Sequence, residues 1–304
     1  MSSFAEKLKK AVSISRPIFW LGPPAAYAVG LALGGTMRGP FETWEMLLLA
    51  FPLSFLLYGI NDIYDFESDK KNPRKGGLWG VRLEEKDIPW VKKTAFLFAA
   101  AMFVTGFSTL NPLHMLFTVL GLSIVYFYSA PPVRLKSIPV IDSLANGGYL
   151  YICFGLGCSL SGSTLFLHPY VVLGALCVSA GHALGTIMDY DSDKSMGERT
   201  FATVLGIRAT ALFAFVIFAI SLLVFLNSGY HSFIGLVAGS FATLLSAFVL
   251  LSPKPENAKL AFKALIAFGL VVAYFYLLKY VVFGQWFGDF SEEELSQVRI
   301  LWGG

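Results

Sequence analysis

Charge is what this sequence lacks. Of its 304 residues only 14% are charged, against 56% hydrophobic, whereas a soluble domain carries roughly 25% charged residues. That shortage excludes a soluble enzyme and an intrinsically disordered chain. Cysteine is scarce too: Cys153, Cys158 and Cys177 are odd in number and lie in apolar runs, which excludes a disulfide-stapled domain and a zinc module. A net charge of +3 is too small to indicate nucleic acid. No linker rich in Gly, Pro or Ser and no low-complexity tract divides the chain, so a single domain over 1–304 is expected.

What is abundant is long apolar runs. Stretches of about 18–25 residues recur from end to end, the length that crosses a bilayer as helix, and they lack the alternation of a membrane barrel. The sequence predicts nine spans: Ile14–Gly35, Trp44–Ile60, Thr94–Leu110, Leu113–Tyr128, Val140–Leu160, Leu165–Ile187, Ile207–Leu226, Phe233–Leu251 and Leu260–Phe283. Lys7, Lys9, Lys10 and the Ala26-Tyr27-Ala28 triplet are similar to a signal peptide with its cleavage site; with eight further spans, a retained first helix is the simpler reading. The tail, Gln285–Gly304, reads as a short polar surface helix.

Basic residues set the orientation. Lys70, Lys71, Arg74, Lys75, Arg82, Lys86, Lys92 and Lys93 follow the second span; Arg134 and Lys136 follow the fourth, Lys194 and Arg199 the sixth, Lys254 and Lys259 the eighth. The other side has only Arg38, Lys279 and, in the tail, Arg299. Basic residues mark the cytoplasmic side, so the N-terminus is expected inside.

The acidic residues cluster where two spans emerge on that same side. Asp62, Asp65, Glu67 and Asp69 form one group and Asp189, Asp191, Asp193 and Glu198 the other. At about 100° per residue, Asp62, Asp65 and Asp69 fall within roughly 60° of one another, with Asn61 beside Asp65 and Glu67 turned away. Asp189 and Asp193 likewise share a face, opposite Asp191. Like charges at these spacings destabilise a helix and raise one another's pKa unless a cation lies between them. Mg²⁺ takes carboxylate oxygens and binds together with substrate phosphates. A diphosphate is then the natural ligand, and Arg134, Lys136 and Lys194 lie on the right side to neutralise it.

These residues resemble the UbiA superfamily of intramembrane prenyltransferases. Asn61–Asp69 matches its N-D-x-x-D-x-x-x-D motif and Asp189–Asp193 its D-x-x-x-D motif. Tyr128-Ser129-Ala130-Pro131-Pro132-Val133-Arg134-Leu135-Lys136 is similar to its Y-S-x-P-P-x-x-x-K segment, and Gly197-Glu198-Arg199-Thr200 to its G-x-x-T. Two positions depart from the members that prenylate aromatic acids. Asn72-Pro73-Arg74-Lys75-Gly76-Gly77 replaces an Arg-Pro pair, and Gly185 stands where many members have asparagine. With Gly181-His182-Ala183-Leu184, the first of these is more similar to the branch containing lycopene elongases.

The resemblance implies an all-α, nine-helix transmembrane bundle around a central cavity, carrying out Mg²⁺-dependent transfer of a prenyl group from an isoprenyl diphosphate to a hydrophobic acceptor in the lipid bilayer. Asp62, Asp65, Asp69, Asp189 and Asp193, with Asn61, would hold the metal. Lys136, Arg134, Lys194 and the Tyr128 hydroxyl, with Asn61, would bind the diphosphate. No nucleic acid and no obligate protein partner are expected. Arg16 reads as snorkelling to the interface, His182 as a packed histidine, and Asp142 either as orienting Lys136 or as a helix-start residue. A carboxylate-lined cation transporter is the competing class, but its acids would sit near the midplane. A CDP-alcohol-type phospholipid transferase would need Asp-Gly and Ala-Arg elements that are absent around Asp62 and Asp189.

Overall fold

The computed structural model describes residues 4–35, 39–69, 80–228 and 233–277. The polar tail, the end of the ninth expected span and the Asn72–Gly77 segment lie outside these residues, as do Arg38, Lys70 and Lys71. Among the described residues all regular structure is helical: α1 (Phe4–Ile14), α2 (Gly22–Gly34), α3 (Pro40–Leu49), α4 (Phe51–Tyr64), α5 (Phe66–Asp69), α6 (Ile88–Ser108), α7 (Pro112–Ser129), α8 (Ile141–Ser159), α9 (Pro169–Met188), α10 (Tyr190–Ser195), α11 (Phe201–Leu205), α12 (Ile207–Asn227), α13 (Phe233–Leu251) and α14 (Pro255–Leu277). Among the described residues, six segments are long and apolar enough to cross a membrane: 17–34, 40–64, 85–108, 112–129, 169–188 and 207–227. Helices α8, α13 and α14 stand at the positions of the other three expected spans.

Proline starts these helices. Pro23, Pro40, Pro52, Pro89, Pro112 and Pro169 occupy first-turn positions, where a missing N–H costs nothing and the fixed φ suits the helix. Asn111 adds a side-chain cap, its Oδ1 accepting from the Leu113 and His114 amides. Pro52 also breaks the second span at Ala50, so that α3 and α4 are two segments of one crossing. Several boundaries differ from expectation by a few residues, and two matter here. The third crossing begins at Glu85 rather than Thr94, because Lys92 and Lys93 are exposed on a helix that Pro89 has already started. The second continues to Tyr64, so Asn61 and Asp62 ride on the helix itself.

The chain forms two compact units. The first comprises 1–134 with 152–163, the second 135–151 with 164–304; α8 therefore contributes its start to one and its end to the other. In the second unit an alanine-rich core, with Ala180, Leu184, Ile187, Ala211, Ala214, Phe218, Val249, Ala258 and Ala261 all buried, packs α9, α12, α13 and α14. In the first unit α2 and the end of α8 approach until their backbones touch. A Cβ on Gly30 would lie 2.1 Å from the Phe154 carbonyl oxygen, and one on Gly157 2.3 Å from that of Tyr27. Membrane helices gain little from apolar burial against each other, so small residues that allow such contact hold them together.

The first unit also buries a polar chain that neither periodicity nor motif announces. The Tyr27 hydroxyl donates to Glu45 Oε2 at 2.7 Å, and Glu45 Oε1 lies 2.8 Å from His114 Nε2. Ser159 Oγ donates to the Leu156 carbonyl, which obliges His114 Nδ1, 2.8 Å away, to carry a proton and donate to Ser159 Oγ. One proton is therefore shared between Glu45 and His114, and the chain is closed at both ends. It ties α2, α3, α7 and α8 together where an unpaired acid would be costly. His114→Ala, which leaves the buried Glu45 without a partner, is expected to lower unfolding stability in detergent by about 3–5 kcal/mol. Glu45→Gln retains both hydrogen bonds and is expected to lose only about 1 kcal/mol. Thermal melts of the two variants check this; equal losses would show that the pairing does not matter.

Candidate active site

The first acidic motif lies where α4 passes into α5, in the first unit. The helix is interrupted at Asp65, and two bonds reach across the junction: the Asp65 amide donates to the Asn61 carbonyl at 2.9 Å and the Asp69 amide to that of Asp65 at 2.8 Å. These two bonds keep Asp62, Asp65 and Asp69 on one side. They are 1%, 8% and 7% exposed, while Glu67 faces solvent. Three buried carboxylates this close need cations. Arg16 Nη2 donates to Asp62 Oδ1 at 3.1 Å and Arg134 Nη2 to Asp65 Oδ1 at 3.2 Å. Asn61 Oδ1 accepts from the Ser129 hydroxyl at 3.0 Å.

Arg16, which reads from the first apolar run as snorkelling to the interface, thus pairs inside the motif. Its guanidinium stacks over the Tyr58 ring at 4.2 Å, one helical turn before Asp62. It also presses on Gly80, where a Cβ would meet Arg16 Nε at 3.0 Å and where φ is +107°. Only glycine suits both conditions. Ser129, which sequence reasoning also passed over, lies in the Tyr128–Lys136 segment and fixes the orientation of the Asn61 amide.

The second motif lies in the second unit, where α9 gives way to α10. The Asp193 amide donates to the Asp189 carbonyl at 2.8 Å, so these two aspartates are one turn apart and half-buried, while Asp191 is exposed. Lys194 is exposed, with its Nζ 3.2 Å from the Tyr190 hydroxyl on its own helix. Lys136, half-buried in a short turn over Leu135–Ser137, belongs to this unit, and Tyr128, on α7, to the first. Asp142 settles on the helix-start role and does not orient Lys136. Its Oδ1 accepts from the Ser143 amide and its Oδ2 from the Phe201 amide, each at 2.7 Å. It thereby joins the start of α8 to the start of α11, just after the Gly197–Thr200 turn. His182 Nδ1 is 3.2 Å from Ser143 Oγ, a packed, hydrogen-bonded histidine.

Among the described residues no three Asp, Glu, His or Cys side chains converge as a ready-made metal cluster; Asp62 and Asp65 are turned toward arginines instead. The donor set itself suits a hard divalent ion. Asp62, Asp65, Asp69 and Asn61 offer only oxygen acceptors and amide groups, the chemistry Mg²⁺ prefers.

Similarity to known proteins agrees with these features. The profile of the UbiA prenyltransferase family matches residues 21–269. A lycopene elongase/hydratase of Corynebacterium glutamicum is 29% identical over 225 residues, covering 71% of this chain and 76% of that protein. One from Halobacterium salinarum is 31% identical over 202 residues, covering 64% and 70%. A UbiA homolog from Archaeoglobus fulgidus, solved bound to GPP and Mg²⁺, superposes with a TM-score of 0.62 at 20% identity, covering 87% of this chain and 99% of that one. A structure of a digeranylgeranylglyceryl phosphate synthase gives a TM-score of 0.65 at 17% identity, covering 88% and 96%. At such identities the solved structures speak for the fold, and the family match speaks for the chemistry. The chain belongs to the UbiA prenyltransferase family: it is a prenyltransferase, and a multi-pass integral membrane protein.

Proposed function

We propose that this enzyme transfers a C5 prenyl group from its diphosphate to the end of an acyclic polyene within the bilayer, with Mg²⁺. The observation that carries the reading is that several of its similar relatives, from bacteria and archaea, are lycopene elongase/hydratases. The departures at Asn72–Gly77 and Gly185 from the aromatic-acid pattern point the same way. We propose further that 1–304 acts as one domain with nine spans and a cytoplasmic N-terminus, and that the reaction takes place at the cytoplasmic side. The basic connections after the second, fourth, sixth and eighth spans support that orientation.

In this reading Asp62, Asp65 and Asp69, with Asn61, and Asp189 with Asp193 hold the metal. Lys136, Arg134, Lys194 and the Tyr128 hydroxyl bind the diphosphate. Bound Mg²⁺ supplies Lewis-acid stabilisation of the departing diphosphate. The allylic C–O bond breaks with its electron pair going to the diphosphate oxygen, and Lys136 and Arg134 offset the charge that develops there. A terminal double bond of the acceptor attacks the C5 cation, forming the new C–C bond. The resulting cation is resolved by loss of a proton or by capture of water with release of one. The apolar helices keep water from the first cation, which it would quench.

Incubating the purified chain in detergent with Mg²⁺, labelled C5 to C20 diphosphates and either a polyene or an aromatic acid tests this. The expected product is the polyene extended by five carbons, with no product from the aromatic acid and none in EDTA. Asp65→Ala and Asp193→Ala are each expected to reduce turnover by more than about 100-fold, beyond the cost of losing an outer-shell partner. Turnover indifferent to metal, or unchanged in both variants, would overturn the metal assignment. Prenylation of the aromatic acid alone would overturn the acceptor.

A further inference from the structure

Two of the four non-glycine residues with positive φ among the described residues are Arg16 (49°) and Arg134 (46°), the arginines on Asp62 and Asp65. A left-handed backbone disfavours any side chain with a Cβ and persists only where the surroundings impose it. For Arg16 the Tyr58 ring, the Gly80 backbone and Asp62 confine the guanidinium. The pair is also well shielded, with side-chain exposures of 15% for Arg16 and 0% for Asp62, whereas Arg134 and Asp65 stand at 36% and 10%. Arg16 Nε is buried without a hydrogen-bond partner. The guanidinium is therefore held by packing and by charge, with its donor capacity only partly used.

Together Arg16 and Arg134 bring two positive charges to the first motif, the charge of one divalent ion. We infer that Arg16, assisted by Arg134, is a cationic placeholder: it neutralises the first motif while metal is absent and opposes a divalent ion arriving alone. The inference rests on the reading that Asp62 is a metal ligand. A metal drawn to Asp62 meets a fixed cation 3.1 Å from one carboxylate oxygen, and in a shielded site that repulsion is strong. A diphosphate brings enough negative charge to satisfy both the metal and the displaced guanidinium. Metal and diphosphate should then bind cooperatively, and bare carboxylates are never left to repel one another between turnovers. The coupling is reciprocal, as any linkage between two ligands must be. Arg16 is thus a positioning residue for metal loading, and charge, not shape, is what it supplies.

The test uses the full chain in detergent and reads Mn²⁺ binding by electron paramagnetic resonance of the free ion, with no diphosphate present. Arg16→Gln is expected to bind Mn²⁺ about tenfold more tightly than wild type, the scale of one charge-assisted interaction removed, while Arg16→Lys stays within about twofold of it. Adding dimethylallyl S-thiolodiphosphate should tighten Mn²⁺ binding strongly in wild type and much less in Arg16→Gln. Thermal melts provide a second readout: Arg16→Gln should melt lower without metal and gain more from Mn²⁺ than wild type does. Unchanged or weaker Mn²⁺ binding in Arg16→Gln, with normal binding in wild type, overturns the placeholder and makes Arg16 a residue that merely orients Asp62. Wild-type protein that binds no Mn²⁺ under either condition overturns the metal-dependent function itself.

Discussion

Three aspartates buried on one side of a membrane helix end cannot stay ionised unless something positive meets them, and that requirement organises the first unit. The α4–α5 turn brings Asp62, Asp65 and Asp69 together, with the Asp65 amide bonded to the Asn61 carbonyl and the Asp69 amide to that of Asp65. Arg16 and Arg134 then come from the chain before α2 and the chain after α7 to answer two of them. Each arginine has a left-handed backbone, and glycine at position 80 leaves room for one guanidinium. Local geometry, packing and charge thus agree on a motif whose carboxylates are met by positive charge.

The first unit holds a second polar centre of opposite character. Around Glu45 and His114 every donor meets an acceptor, through Tyr27 and Ser159, and the only ambiguity is where one proton resides. A closed network of this kind fixes four helices against one another and offers nothing to a ligand. The aspartate motif instead meets two long cationic side chains, Arg16 and Arg134. That contrast separates a closed polar network from the motif to which we assign the chemistry, in a chain with so few charges to place.

Much of this was legible in the sequence because helical periodicity is a local property. The spacing of Asp62, Asp65 and Asp69, with Glu67 turned outward, follows from 100° per residue, and the apolar runs announce the spans. What stayed hidden depends on pairing across long separations. Arg16 and Asp62 are 46 residues apart and Phe201 and Asp142 are 59 apart; no periodicity links them, so Arg16 reads as an interfacial residue and Asp142 as undecided. Glu45 and His114 escaped notice for the same reason, each lying alone in an apolar run. The early start of α6 was missed because Lys92 and Lys93 look like a boundary, although exposed lysines on a helix end need not interrupt it.

The central claim is that both aspartate motifs serve one metal-dependent departure of diphosphate. The measurement that tests it most directly is an experimental structure of the protein with Mg²⁺ and an uncleavable C5 thiolodiphosphate. The account predicts metal ions on the diphosphate oxygens with ligands drawn from Asn61–Asp69 and from Asp189–Asp193, and Arg16 turned away from Asp62. A diphosphate held without metal, or by metal that touches only one of the two motifs, would contradict it.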